Sequence, residues 1–304
     1  MLISCGLPVS GTLAAPATLA RLAARAEELG YHGLWSFQRL LVGADQNLEP
    51  VYRSVLDPMV ALGYAAALTS RIRLGVAVIN IPYVSPAYLA KQAATLDVLS
   101  GGRHELGLGT GWSEPEFVAT GSDPNPRGKR IEEYLTVLRA LWTDEVAAFE
   151  GELYRVQPSR MAPRPVQPGG PPILLGGTAD VALRRAGRIA AGWVSSSRAR
   201  LTDIQRGVQI VRRAAEESGR DPDEVRIVVR GVVRAGERDD AMPLSGNWEQ
   251  IIGGAELYAE AGVTELFYDL NWDPGLTGPD ADPVAVADRA EEIITALRPS
   301  GFAT

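Results

Sequence analysis

Apolar residues along this chain fall into two alternating rhythms. Short, nearly continuous apolar runs alternate with longer stretches in which apolar positions return every three or four residues. The first rhythm suits strands buried on both faces, and the second suits helices laid on a core. Read in order, Leu2–Leu7 is a strand, Pro16–Leu29 a helix closed by Gly30, and Tyr31–Ser36 a strand. Asp57–Thr69 is helical, Arg71–Ile79 a β-branched strand, Pro86–Leu99 a helix stopped by Ser100-Gly101-Gly102, and Arg103–Gly109 a strand. Pro126–Trp142 forms the next helix. Proline in a first turn and glycine just past the last are the expected punctuation.

A hairpin turning at Glu150-Gly151 and a proline-rich loop, "MAPRPVQPGGPP", interrupt the alternation. It resumes with the strands "PILLGG", "GWVSS", "VRIVVRGVV" and "VTELFYDL", and with helices over Thr178–Ile189, Leu201–Ser218, Trp248–Ala261 and Pro283–Leu297. Eight strands, each followed by a helix, predict one α/β domain over residues 1–304, a (β/α)8 TIM barrel. A doubly wound sheet would need a G-x-G-x-x-G after the first strand, and none is there. Insertions follow strand 2 (Arg39 to about Ser54) and strand 4 (Trp112 to about Gly128), and a third precedes strand 5. The first two lie at the carboxyl ends of the strands, where barrels keep their sites.

Composition narrows the chemistry. The net charge of -7 carries no basic footprint, so no nucleic-acid partner is expected. One cysteine and two histidines, Cys5, His32 and His104, argue against a disulfide framework, a bound metal and a Ser-His-Asp triad. Both histidines begin strands, where a barrel places stability rather than chemistry. No leader-like stretch and no apolar run near the ~20 residues of a membrane helix is present, so a cytoplasmic protein without a membrane partner is expected.

The strand ends on the site face are rich in aromatics, amides, hydroxyls and glycines: Trp35 to Arg39, Ile79 to Pro82, Gly109 to Trp112, Gly176 to Thr178, Ser195 to Ser197 and Asp269 to Trp272. Lys91 and Lys129 are the only lysines, and carboxylate pairs are missing. A Schiff-base aldolase or divalent-metal enolase would need those groups. A flat, largely uncharged ligand held by backbone suits what is there. Gly176-Gly177-Thr178, opening a helix after a strand, reads either as a phosphate site of free N–H groups or as a glycine turn capped by Thr178.

"LAKQAATLDVLSGGRHELGLGTGWSEPEF" and "PVQPGGPPILLGGTADVALRRAGRIAAGW" resemble the bacterial luciferase-like monooxygenase superfamily, above all the branch that uses the deazaflavin coenzyme F420. The resemblance runs from about Leu2 to the last helix. It implies a non-proline cis peptide in a bulge at Val78-Ile79, beside Asn80, propping the tricyclic ring. It also implies that Thr110-Gly111 passes along the ring and ribityl chain, and that Gly176, Gly177 and Thr178 hold the phosphate.

The chain departs from the family where protons would move. Many members carry an Asp-His pair where this one reads Gln38-Arg39, and some deazaflavin members carry Glu where it has Trp112. Neither Gln nor Arg exchanges a proton at neutral pH, so an Asp/His/Glu relay does not carry over. Hydride transfer, with Arg39 stabilising negative charge and a proton from Tyr83, Glu114 or water, is the activity the resemblance implies. Otherwise Arg39 makes a solvated pair with Asp45 or Glu49. Trp35, Phe37 and Trp112 either wall a substrate pocket or belong to the core. The expectation is therefore an F420-dependent oxidoreductase of a small-molecule substrate, probed against two alternatives. One is an FMN-dependent monooxygenase, the other a binding-only flavin or deazaflavin protein. The family resemblance also implies a homodimer.

Overall fold

The computed structural model describes residues 1–236 and 238–299. Its first half holds strands β1 (Leu2–Gly6), β2 (Gly33–Ser36), β3 (Arg73–Asn80) and β4 (His104–Gly109), then the hairpin β5 (Ala147–Glu150) and β6 (Arg155–Ser159). The second half holds β7 (Ile173–Gly176), β8 (Gly192–Val194), β9 (Arg226–Val232), the short pair β10 (Arg234–Ala235) and β11 (Ser245–Gly246), and β12 (Glu265–Asp269). Eight of these close a parallel barrel in the order β1-β12-β9-β8-β7-β4-β3-β2. The barrel and its insertions agree with the alternation of the sequence.

Helices α1 (Pro16–Glu28), α2 (Pro58–Leu68), α3 (Pro86–Leu99), α4 (Glu114–Thr120) and α5 (Arg127–Thr143) serve the first half. Helices α6 (Asp180–Ile189), α7 (Leu201–Glu216), α8 (Trp248–Glu260), α9 (Pro274–Thr277) and α10 (Pro283–Ala296) serve the second. Local chemistry accounts for the helix starts. Asp57 and Ser85 accept the N–H of Val60 and Tyr88, and proline stands in the first turn of α1, α2, α3 and α10. The long connection after β4 is not wholly irregular, because Glu114–Thr120 coils into α4 and ends on Gly121 at φ 63°. Seven residues are too few for a periodic signal, which is why the sequence pattern passes over it.

Inside the barrel, Trp35, Leu174, Val194, Val228 and Phe267 form a compact plug. Trp35 stacks on Phe267 at 5.6 Å and donates its Nε1–H to Glu265 at 2.7 Å. The plug lies over a charged floor at the amino ends of the strands. There Arg226 bridges Glu265 at 2.6 Å and Glu105 at 2.8 Å, and Arg73 also pairs with Glu105. Burial alone would raise the Glu105 carboxyl, but Arg226 and Arg73 outweigh it and hold it below its ordinary range. The plug lies beneath the carboxyl end of the barrel, the mouth where the strands open into a cavity.

Candidate functional site

A cavity of about 670 Å³ occupies that mouth, a volume usual for a small-molecule site. Its near wall is built by β3. The register with β4 shifts between Val76 and Ile79, and the bulge carries a cis peptide at Ala77–Val78. The resemblance had put that bond one residue later, at Val78–Ile79. Ala77, Val78 and Asn80 line the cavity, whereas Ile79 turns into the core at 2 % exposure.

The bulge explains the bare backbone of β4. A Cβ on Gly109 would stand 2.5 Å from Val78 Cγ2, and one on Gly107 or Gly176 would crowd Val78 Cγ1 at 3.3 Å. Glycines on β4 and β7 make room for the bulge first, and only then leave backbone facing the cavity. Asn80 ties the rim together. Its N–H donates to Gln38 Oε1 at 2.8 Å, and its Oδ1 accepts the Gly111 N–H at 3.0 Å. Gln38 and Asn80 together therefore brace the ends of β2, β3 and β4.

The wall continues past β4 and β7 into the start of α6. Gly177, at φ 139°, and Thr178 lead into the helix; the cap position falls on Ala179, with no side-chain capping bond, and not on Thr178. The N–H groups of Thr178, Ala179, Asp180 and Val181 bond to no other backbone group. Arg185 and Ser195–Ser197 line the cavity beside them. Asp180 turns away to pair with Arg206, so its charge does not oppose an anion at the open amides.

Arg39 is no solvated surface group. Its side chain is 4 % exposed, its Nη1 donates to Glu116 Oε2 at 2.8 Å, and Glu116 Oε1 accepts the Leu40 N–H at 2.7 Å. Glu49 pairs with Arg198 instead. The guanidinium lies 4.5 Å from the Trp112 ring and 4.7 Å from that of Tyr52. Phe37, Tyr52 and Trp112 line the cavity, but Trp35 sits one layer lower in the plug.

Glu114 is exposed on the first turn of α4 and outside the lining; the buried acid is Glu116, two residues on. Tyr83 packs on Phe117 behind Gly111, and burial together with the Glu116 carboxylate pushes its hydroxyl up to about 12. Among the described residues the lining holds no carboxylate and no imidazole. No described group of three or more His, Cys, Asp or Glu side chains is placed to hold a metal ion.

Sequence reasoning missed Arg230, Arg185 and Tyr52. Arg230 had left a signal, since an arginine inside the apolar run "VRIVVRGVV" must find a partner or a purpose. Arg185 and Tyr52 had left none, because an arginine on a helix and an aromatic in a long loop are ordinary.

Residues 3–265 match the family model described as luciferase-like monooxygenase. The chain belongs to that family. This luciferase-like protein is 41 % identical over 170 residues to an uncharacterised protein of Mycobacterium tuberculosis, a match covering 56 % of this chain and 60 % of the relative. It is 34 % identical over 203 residues to a phthiodiolone/phenolphthiodiolone dimycocerosates ketoreductase of Mycobacterium bovis, covering 66 % of this chain and 53 % of that one.

Solved structures share the luciferase-like fold at low identity. A monooxygenase from Streptomyces bottropensis superposes with a TM-score of 0.81 at 21 % identity, covering 98 % of both chains. An F420-dependent secondary alcohol dehydrogenase in complex with an F420–acetone adduct gives 0.80 at 18 %, covering 98 % and 99 %. A riboflavin lyase with modified FMN gives 0.76 at 14 %, covering 100 % and 94 %. Among the described residues no helix is long and apolar enough to cross a membrane.

Proposed function

We propose that the cavity takes the deazaflavin coenzyme F420 and that the protein moves a hydride between it and a small organic substrate. One observation carries this reading. Thr178, Ala179 and Val181, whose amides bond to no other backbone group, line a single cavity with the β3 bulge and the glycine rim of β4. Three such donors at a helix start, beside Arg185, suit a phosphate. A rim on which a Cβ would collide suits a flat ring laid against backbone. The bound deazaflavin would supply a hydride donor or acceptor at its C5 carbon.

The protein's own part is to hold, orient and shield. Gln38 and Asn80 fix the rim through backbone hydrogen bonds and exchange no proton. Arg39 and Glu116 neutralise one another, so Arg39 offers a fixed guanidinium face between Tyr52 and Trp112 rather than net charge. Among the described lining residues there is no carboxylate or imidazole, so the balancing proton comes from water or from Tyr52. Proteins that share the fold include an F420-dependent secondary alcohol dehydrogenase and a riboflavin lyase with modified FMN, and one relative is a ketoreductase, which supports this reading.

Titration of the purified protein with F420 and with FMN tests the proposal. The expected result is tighter binding of F420, by about tenfold or more, and single-turnover reduction of a member of an enone and imine panel. Tighter FMN binding would overturn the deazaflavin reading in favour of a flavin-dependent protein. Saturation with F420 and no turnover across the panel would make it a carrier.

A further inference from the structure

Arg230 lies on β9 two residues beyond Val228, on the same inward face, and so sits directly above the plug. Its side chain is 7 % exposed and lines the cavity. One edge of the guanidinium is spoken for, with Nε donating to Asp269 Oδ2 at 2.6 Å. The other Asp269 oxygen is occupied by Asn271, through its backbone N–H at 3.0 Å and its Nδ2 at 2.8 Å. The guanidinium lies 4.3 Å from the Phe37 ring and 5.6 Å from that of Trp272, which fixes its plane. Its Nη2 is buried and has no hydrogen-bond partner.

Proteins rarely leave a buried charged donor unpaired, because it gives up its water without compensation. The fold supplies Asp269 to hold the arginine and Phe37 to orient it, leaves its Nη2 without a partner, and sets the residue in the cavity wall. A planar fork of N–H donors matches a carboxylate. The α6 amides, which suit a phosphate, follow β7, and β8 stands between that strand and β9, so the two anion positions belong to different strands. We infer that the substrate is an organic acid whose carboxylate docks on Arg230, its body lying against Phe37, Tyr52 and Trp112. This rests on the proposed function for what happens at the other end of the cavity, but not for the docking itself.

The test is calorimetric titration with benzoate and with benzamide, which share a ring and differ in charge. It uses protein without cofactor and protein loaded with F420 or FMN, in the wild type, Arg230→Gln and Arg230→Lys. Benzoate is expected to bind the wild type about tenfold more tightly than benzamide, or about 1.4 kcal/mol. Arg230→Gln, which keeps an amide donor for Asp269, abolishes that preference while cofactor affinity stays unchanged. Arg230→Lys keeps the charge but not the fork and retains part of the preference.

Equal binding of the two probes to the wild type overturns the inference, as does a preference that survives in Arg230→Gln. If Arg230→Gln loses cofactor affinity along with the preference, the arginine serves the cofactor, and the inference fails in that way too. Should Arg230→Gln not fold, Arg230→Lys decides: full retention of the preference refutes the fork. A benzoate preference in protein that rejects F420 would sink the deazaflavin reading and leave this one standing.

Discussion

At the scale of single residues, the site depends on side chains that are absent. Gly109 faces Val78 Cγ2 and Asn80 Oδ1 so closely that a methyl group would stand 2.5 Å and 3.1 Å from them. Gly109→Ala should therefore push back the bulge and the Asn80 brace together. The expected outcome is a loss of cofactor affinity of about tenfold or more, read by titration, with the barrel still folded. Gly253, in α8, supplies the control because no atom lies within 4 Å of a Cβ built there. Gly253→Ala should leave binding alone and raise stability by about 0.5–1 kcal/mol, since alanine loses less conformational freedom than glycine in a helix. A Gly109→Ala protein that binds cofactor normally would show that the bulge does not shape the cavity.

At the scale of elements, α4 does more than fill a loop. It carries Glu116 beneath the end of β2, where the carboxylate receives both the Arg39 guanidinium and the Leu40 N–H. Removing one partner of a buried ion pair strands the other. Glu116→Ala should thus cost about 3 kcal/mol in urea unfolding and loosen the Arg39 stack on Trp112 and Tyr52. Glu114→Ala, on the exposed side of the same helix, should change neither stability nor turnover. A measurable fall in turnover for Glu114→Ala alone would restore that acid as a proton donor.

At the scale of the whole molecule, the barrel separates a rigid floor from a receptive mouth. His104 belongs to the floor: its Nδ1–H donates to the Leu74 carbonyl at 3.0 Å, and burial pushes the imidazole down to about 4 from its ordinary 6.5. Below pH 6.5 the unfolded chain takes up that proton before the folded one does. The stability associated with neutral His104 is complete above that pH and drains away as the pH falls toward 4. Relative to His104→Gln, wild-type stability should drop by on the order of 3 kcal/mol across this window, at about 1.4 kcal/mol per unit. Parallel pH profiles of the two proteins would remove His104 as the cause.

The outer surface carries an expectation of its own. Helix α2 contains no charged residue, and Val60, Tyr64 and Leu68, at 71 %, 45 % and 41 % exposure, form a row on its outer side. We propose that a second copy covers this row, since a face this apolar is seldom left to water. Sedimentation should then report a dimer, and Tyr64→Lys a monomer that still folds. An unaltered sedimentation coefficient for Tyr64→Lys would point away from α2.

Much of this architecture was legible along the chain, for a physical reason. Helix and strand periods, proline starts and glycine stops are local properties, and eight such units in succession leave few ways to bury their apolar faces other than a closed barrel. The rim positions Asn80, Thr110, Gly111, Gly176 and Gly177 follow from that order, because a parallel barrel gathers every strand's carboxyl end on one side. Strand parity likewise turns Trp35 and Phe37 inward together. Only the closed barrel decides that the first plugs it and the second faces the cavity, since depth depends on strand tilt and stagger. Long-range partners were hidden for a related reason. Arg39 and Glu116 lie 77 residues apart, Arg230 and Asp269 39 apart, and no local pattern brings such charges together. Pairing buried charges is a property of the packed molecule, and so is the unpartnered Nη2 of Arg230 in the cavity wall.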